Sequence, residues 1–149
     1  MSLTIKEVGE TNWRAVCGLT VAKNQKGFIE SNARSLLEAA YDVSLHWQPL
    51  ALYDGELLVG FSMIGAKQEE EMWLDRLMID AQFQGKGYGT RFIPIILQFM
   101  RQQYGVRRIY LSIHDENEKI LPYYQRFGFV DSGKYDPENG ERIMFLDIE

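Results

Sequence analysis

The chain has 149 residues, 46% of them hydrophobic and 25% charged, which fits one folded domain and excludes a disordered or fibrous chain. Its 16 basic and 21 acidic side chains give a formal charge of -5, so nucleic acid is not an expected partner, whereas a cationic small molecule would be attracted. The single cysteine, Cys17, cannot form an internal disulfide, and no run of about 18 apolar residues marks a membrane span, so the expected compartment is the cytoplasm and no membrane partner is expected.

Leu3 to Val8 reads as a short strand. Thr11 or Asn12 is placed to cap a helix with Trp13, Val16, Cys17 and Leu19 on its inner side. Ser31 or Asn32 caps a second helix, in which Leu36, Leu37, Ala40 and Tyr41 recur at helical spacing. In "PLALYDGELLVGFSMIG" two β-rich runs flank Asp54-Gly55, a dipeptide suited to a tight hairpin turn. "MWLDRLMID" follows as a third antiparallel strand; strict alternation puts Trp73, Asp75, Leu77 and Ile79 on one face and Leu74, Arg76 and Met78 on the other.

Beyond the glycine-rich "QGKGYG", Thr90 to Tyr104 is apolar almost all round, as a helix buried against a sheet requires. Pro94 inside it predicts a kink or a later regular start. "RRIYLSIH" is then a buried strand, "NEKILPYYQRF" a helix stopped by Gly128, and "FVDSGKY" with "RIMFLDI" a closing hairpin around Pro137 to Gly140. The order predicts one domain over residues 1–149, of the α/β (α+β) class: a mixed, mostly antiparallel sheet of about six or seven strands flanked by about four helices, with at least one parallel crossover.

The three glycines Gly85, Gly87 and Gly89 precede the long helix directly. A helix start offers unpaired N–H groups and partial positive charge, and glycines let those donors close on a phosphate oxygen. A P-loop would need a hydroxyl residue after its lysine, but Lys86 sits between glycines; a dinucleotide fingerprint would need glycine where the chain has Thr90. A glycine-rich turn without a ligand is the alternative for the cluster taken alone.

"QGKGYG", Gln84 to Gly89, resembles the Q/R-x-x-G-x-G/A signature of the GNAT N-acetyltransferases, and "NEKILPYYQRFGF", Asn117 to Phe129, resembles that family's later N-x-x-A-x-x-x-Y-x-K-x-G-F pattern. The likeness spans roughly Leu50 to the C-terminus, with Ile120, Arg126, Pro94 and Pro122 as departures that touch helix geometry. The resemblance implies the GNAT fold, acetyl-CoA as cosubstrate without a metal, and a cofactor site formed by Met78, Ile79, Gln84, Gly85, Lys86, Gly87, Tyr88, Gly89, Thr90, Asn117 and Tyr124. It also carries the expectation of a homodimer.

An alkyl amine with a pKa near 10.4 loses its proton at neutral pH at a cost of roughly 4 to 5 kcal/mol, so a transfer by direct attack needs a proton relay. Asp75 aligns with the acidic position many such enzymes carry on this strand, as either base or ammonium anchor, with an Arg76-paired carboxylate as the bland alternative. Tyr124 aligns with the family's tyrosine and suits the acid that returns a proton to the thiolate. Of Tyr123 and Tyr124, about 100° apart on a helix, one is expected to face the thioester. A backbone N–H near Met78 and Ile79 suits the oxyanion.

His46 and His114 lack partners at metal-ligand spacing, Glu69 to Glu71 read as a solvated turn, and Trp13, Trp47 and Trp73 read as core or as substrate wall. "QKGFIESNARSLLEA" and "WLDRLMID" look like the branch containing bacterial spermine/spermidine N-acetyltransferases. That likeness, with the acidic surplus, Asp75 and Glu30, favours a polyamine acceptor. The alternatives are another amine, such as an aminoglycoside, an amino acid or a peptide N-terminus, and an acyl-CoA-binding sensor without turnover.

Overall fold

The computed structural model describes residues 2–22, 31–114 and 119–148. Glu30 and Asn117, both expected in the site, lie outside the described residues. Seven strands, β1 (Leu3–Glu7), β2 (Gln48–Asp54), β3 (Leu57–Gln68), β4 (Glu71–Ile79), β5 (Arg108–Ile113), β6 (Val130–Tyr135) and β7 (Arg142–Asp147), form one sheet in the order β1-β2-β3-β4-β5-β7-β6. Every pairing is antiparallel except β4 with β5. The helices α1 (Trp13–Gly18), α2 (Asn32–Tyr41), α3 (Tyr88–Tyr104) and α4 (Ile120–Gln125) connect them. The expected mixed sheet is present, with its parallel crossover made by α3.

Each face of the sheet has its own core. Leu50, Leu52, Ile64, Met72 and Leu74 pack with Phe92, Ile96 and Met100 of α3, while Ala51, Phe61, Met63 and Met78 pack with Val16 of α1 and with Leu36 and Ala39 of α2. Alternation along β2 sends even residues to one core and odd residues to the other, as a sheet covered on both faces requires.

Strand β4 breaks that alternation. Met63 pairs with Arg76 and Ile64 with Leu74, so Asp75 is an extra residue with no partner on β3, a β-bulge. Before it, the even residues Met72 and Leu74 join the α3 core; after it, the odd residues Leu77 and Ile79 do, and Met78 joins the opposite core. The uniform odd and even faces predicted for this strand are therefore corrected: Trp73 and Asp75 share a face with Arg76 and Met78. A bulge sets two consecutive side chains toward one side, which ordinary pleating forbids.

Three helical expectations also change. Trp13 is exposed rather than inner, and although Asn12 stands at the N-cap of α1 as expected, its side chain accepts from the Gly9 N–H and not from the helix. In α2 the inward face carries Asn32, Ser35, Leu36 and Ala39, whereas Leu37 and Tyr41 are 57% and 77% exposed. The buried polar pair is satisfied: Asn32 Nδ2 donates to the Val16 carbonyl at 2.9 Å and Ser35 Oγ to the Ser31 carbonyl at 3.1 Å. The predicted delay in α3 does not occur, since the helix begins at Tyr88 and runs through Pro94.

Candidate active site

The sequence Asp80 to Thr90 turns the chain from the end of β4 into α3. Asp80, nearly buried, accepts from the backbone N–H of Thr20 (2.8 Å) and of Gln82 (3.3 Å), which ties the turn to the segment after α1. Gln84 Nε2 donates to the Ile79 carbonyl at 2.9 Å. Gly85 and Gly87 then take φ angles of 79° and 81°, a left-handed conformation that glycine adopts without strain, and nothing lies within 4 Å of where a side chain at either would begin. The first intrahelical bond runs from Arg91 N–H to the Gly87 carbonyl at 3.1 Å, so the N–H groups of Tyr88, Gly89 and Thr90 have no acceptor within the helix. That combination of open space, orphan donors and helix dipole fits a pyrophosphate.

Beside this loop the sheet parts. Strands β4 and β5 pair only from Glu71 to Trp73 against Arg108 to Tyr110, and diverge beyond. A cleft of about 1180 Å³ fills the gap; Leu77, Met78 and Ile79 line one wall, Leu111, Ser112 and Ile113 the other, and the glycine loop closes one end. The Asp80 N–H bond to the Val59 carbonyl (2.8 Å) sets the phase of the β3–β4 ladder. With Gly60 opposite Ile79 and Phe61 opposite Met78, Met78 exchanges its backbone bonds with β3, while Leu77 and Ile79 turn theirs toward the gap. Of the two residues expected to offer an oxyanion donor, Ile79 has its N–H on the open side.

Helix α4 brings both tyrosines to the same cleft. The Tyr123 hydroxyl lies 3.2 Å from Thr90 Oγ1; the Tyr124 ring meets Phe129 edge-on, with centroids 5.9 Å apart, and packs on the α3 core. The two tyrosine rings also meet each other edge-on, with centroids 5.3 Å apart. Burial, and secondarily Tyr123 beside it, pushes the Tyr124 hydroxyl above its usual value, so it is protonated at neutral pH.

The far part of the cleft is acidic. Glu38, Asp42 and Asp75 line it together with Asp136, Glu138 and Glu141 of the β6–β7 hairpin, next to Trp47 and Trp73. The bulge sends Asp75 and Arg76 to the same side, where they form an ion pair. Arg76 reaches on to Glu38 Oε2 at 2.9 Å, and Glu38 Oε1 meets Arg34 Nε at 3.3 Å. Trp73 stacks on Tyr110 with centroids 5.2 Å apart, and Trp47 lies against Gly65, where any side chain would collide with it.

Of the residues expected in the site, the cleft brings together Asp75, Met78, Ile79, Gln84, Gly85, Gly87, Tyr88, Gly89, Thr90 and Tyr124. Lys86 is exposed, and its ammonium lies 5.8 Å from the Phe83 ring. Glu38 and Asp42 were missed, although a signal existed: Arg34, Glu38 and Asp42 recur every four residues, a charged stripe along one helix face. Among the described residues no group of three or more His, Cys, Asp or Glu is arranged to hold a metal ion, and no helix is long and apolar enough to cross a membrane.

Comparison with known proteins agrees with this arrangement. The profile described as the Acetyltransferase (GNAT) family matches residues 10–129. The spermine/spermidine N(1)-acetyltransferase of Bacillus subtilis (strain 168) is 38% identical over 99% of this chain and 100% of its own length. The crystal structure of spermidine N-acetyltransferase from Vibrio cholerae in complex with CoA and spermine superposes with a TM-score of 0.78 at 20% identity, over 97% of this chain and 95% of that one. PaiA N-acetyltransferase from Thermoplasma acidophilum, solved with coenzyme A, gives 0.73 at 17% identity over 99% of both chains.

Proposed function

This chain belongs to the GNAT family of acetyltransferases, and on that premise we propose that it acetylates a primary amine of a polyamine such as spermidine or spermine by direct attack with both substrates bound. It is an N-acetyltransferase that uses acetyl-CoA. The acceptor rests on one observation above the others: the cleft that holds the glycine loop is also lined by the carboxylates of Glu38, Asp42, Asp75, Asp136, Glu138 and Glu141, which outnumber its arginines Arg34 and Arg76, and by Trp47 and Trp73. Carboxylates hold ammonium groups and indoles hold both cations and methylene chains. The 38% identical relative, whose name states spermine and spermidine, supports the same reading.

In this reading the N–H groups of Gly89 and Thr90 hold the pyrophosphate, with Gly85 and Gly87 clearing the approach, and the Ile79 N–H faces the thioester oxygen. Tyr124, kept protonated by burial, returns a proton to the departing thiolate. Asp75 holds the reacting amine. Its carboxylate is already shared with Arg76, which favours anchoring the ammonium over taking its proton unaided. Glu30 and Asn117 remain part of the proposal, as acceptor and pantetheine contacts, and a cytoplasmic location goes with it.

The alternative acceptors are other amines, such as an amino acid, a peptide N-terminus or an aminoglycoside. Thiol release by the purified protein with spermidine, lysine, a peptide and an aminoglycoside separates these. A kcat/KM highest for spermidine supports the polyamine; a higher value for the amino acid or peptide overturns it. Tight acetyl-CoA binding without turnover on any amine would mark a sensor instead.

A further inference from the structure

Tyr88 opens α3 and is only 6% exposed, its ring set between Phe83 and Phe92 with centroids 6.5 and 6.3 Å away. Its hydroxyl donates a 2.6 Å bond to Asp54 Oδ2, 34 residues distant at the end of β2. Asp54 is well fixed: it pairs with Leu3 of β1 and Leu57 of β3, and the next residue, Gly55, donates to the Ser2 carbonyl at 2.9 Å. The bond to Asp54 holds the Tyr88 proton more firmly than in a free tyrosine, so the donor persists at neutral pH.

The glycine loop is therefore tied at both ends. Upstream, Gln84 and Asp80 bind it to the end of β4 and to Thr20. Downstream, Tyr88 binds it to the β2–β3 hairpin. Between them Gly85, Lys86 and Gly87 are exposed, and both glycines have open space around them. Such a segment is held in one conformation by its ends, and any freedom it regains must be given up again when an anion binds.

We propose that Tyr88 is a positioning residue for acetyl transfer: its hydroxyl, latched to Asp54, fixes the first turn of α3 so that the Gly89 and Thr90 N–H groups stay aimed at the donor's pyrophosphate. This rests on reading the glycine loop as the pyrophosphate site. The latch touches no reacting atom, so its effect falls on the pyrophosphate-bearing part of the donor.

The test compares acetyl-CoA with S-acetylpantetheine, which has the thioester and the arm but no pyrophosphate. Tyr88→Phe keeps the packing and removes the hydroxyl; it should raise the KM for acetyl-CoA on the order of tenfold, the scale of a lost bond to a charged group, and cut the kcat/KM preference for acetyl-CoA over the truncated donor by the same factor. Asp54→Ala should do likewise, Asp54→Asn should recover most of the preference by keeping an acceptor, and the double variant Tyr88→Phe, Asp54→Ala should be no worse than either single one. Equal losses with both donors would overturn the latch and leave Tyr88 a structural residue. A wild-type protein that did not prefer acetyl-CoA would instead overturn the pyrophosphate reading of the loop.

Discussion

Thr90 on the first turn of α3 and Tyr123 on α4 meet through their hydroxyl oxygens at 3.2 Å. The contact links the start of α3, where the glycine loop ends, to the tyrosine pair of α4 in one frame. Gly89, next to Thr90, has no room to spare on that side, since a side chain there would begin 3.2 Å from the Tyr123 hydroxyl.

Within that frame Tyr124→Phe should lower kcat by about a hundredfold, the scale of one general acid, with acetyl-CoA binding changed less than about twofold. Because burial raises the hydroxyl above its ordinary value of 10.0, the protonated form is present from neutral pH upward to that value. The wild-type rate should accordingly show no falling limb from this group below about pH 10. Stopped-time assays across pH and calorimetric titration with CoA check both parts, and loss of CoA binding together with turnover would assign Tyr124 to the fold.

Asp75→Asn should raise the KM for the amine about tenfold, on the scale of a lost charged hydrogen bond, and by the same factor at about pH 7 and pH 9. A loss steepest at low pH, where free amine is scarcest, would make Asp75 the base. The pH dependence of kcat/KM for the variant decides between them.

Glu38 joins Arg34 and Arg76. Glu38→Gln leaves those guanidinium groups less compensated, so the cleft becomes more positive and a polycationic acceptor is repelled. The KM for spermidine should rise several-fold and more than that for a simple monoamine. Wild-type kcat/KM for spermidine should also fall as salt rises from about 0.05 to 0.5 M, because screening shortens the reach of the acidic cleft. Salt-independent kinetics would remove electrostatic recruitment from the account.

Gly65→Ala places a methyl group 2.4 Å from Trp47 Cε3 and 2.9 Å from its Cα. One of these atoms is backbone, so relief requires the strand to shift, at a cost of about 1–3 kcal/mol. Thermal unfolding should register this as a Tm lower by several degrees, and the displaced indole should raise the KM for the amine. An unchanged Tm would mean that the segment carrying Trp47 yields freely.

The hairpin at Asp54-Gly55, the helix following the glycines and the closing hairpin were all legible because turn chemistry and apolar periodicity are local signals. The face of α2 was not. Its buried residues include Asn32 and Ser35, which become acceptable inside only because the Val16 and Ser31 carbonyls receive their donors; of these, the Asn32–Val16 contact joins two elements, and no helical pattern contains it. The Asp75–Arg76 pair was hidden for a similar reason. A nine-residue strand with one extra residue reads as ordinary alternation with one exception, and only the register against β3 shows where the exception falls. The charged stripe on α2 marks Glu38, but its pairing with Arg76 needed that same register, since Arg76 is set on the α2 side by the bulge.

Residue 75 is supernumerary to the sheet. Were it removed, Leu74, Arg76, Leu77, Met78 and Ile79 would alternate without interruption, each still on the face it now occupies, and Met63 and Ile64 would meet consecutive partners. The backbone thus carries one residue more than its own pairing asks for, and that residue brings a carboxylate into the cleft. A chain lacking Asp75 should fold with a more regular strand and acetylate poorly, so the cost of losing this residue is to be sought in turnover rather than in stability.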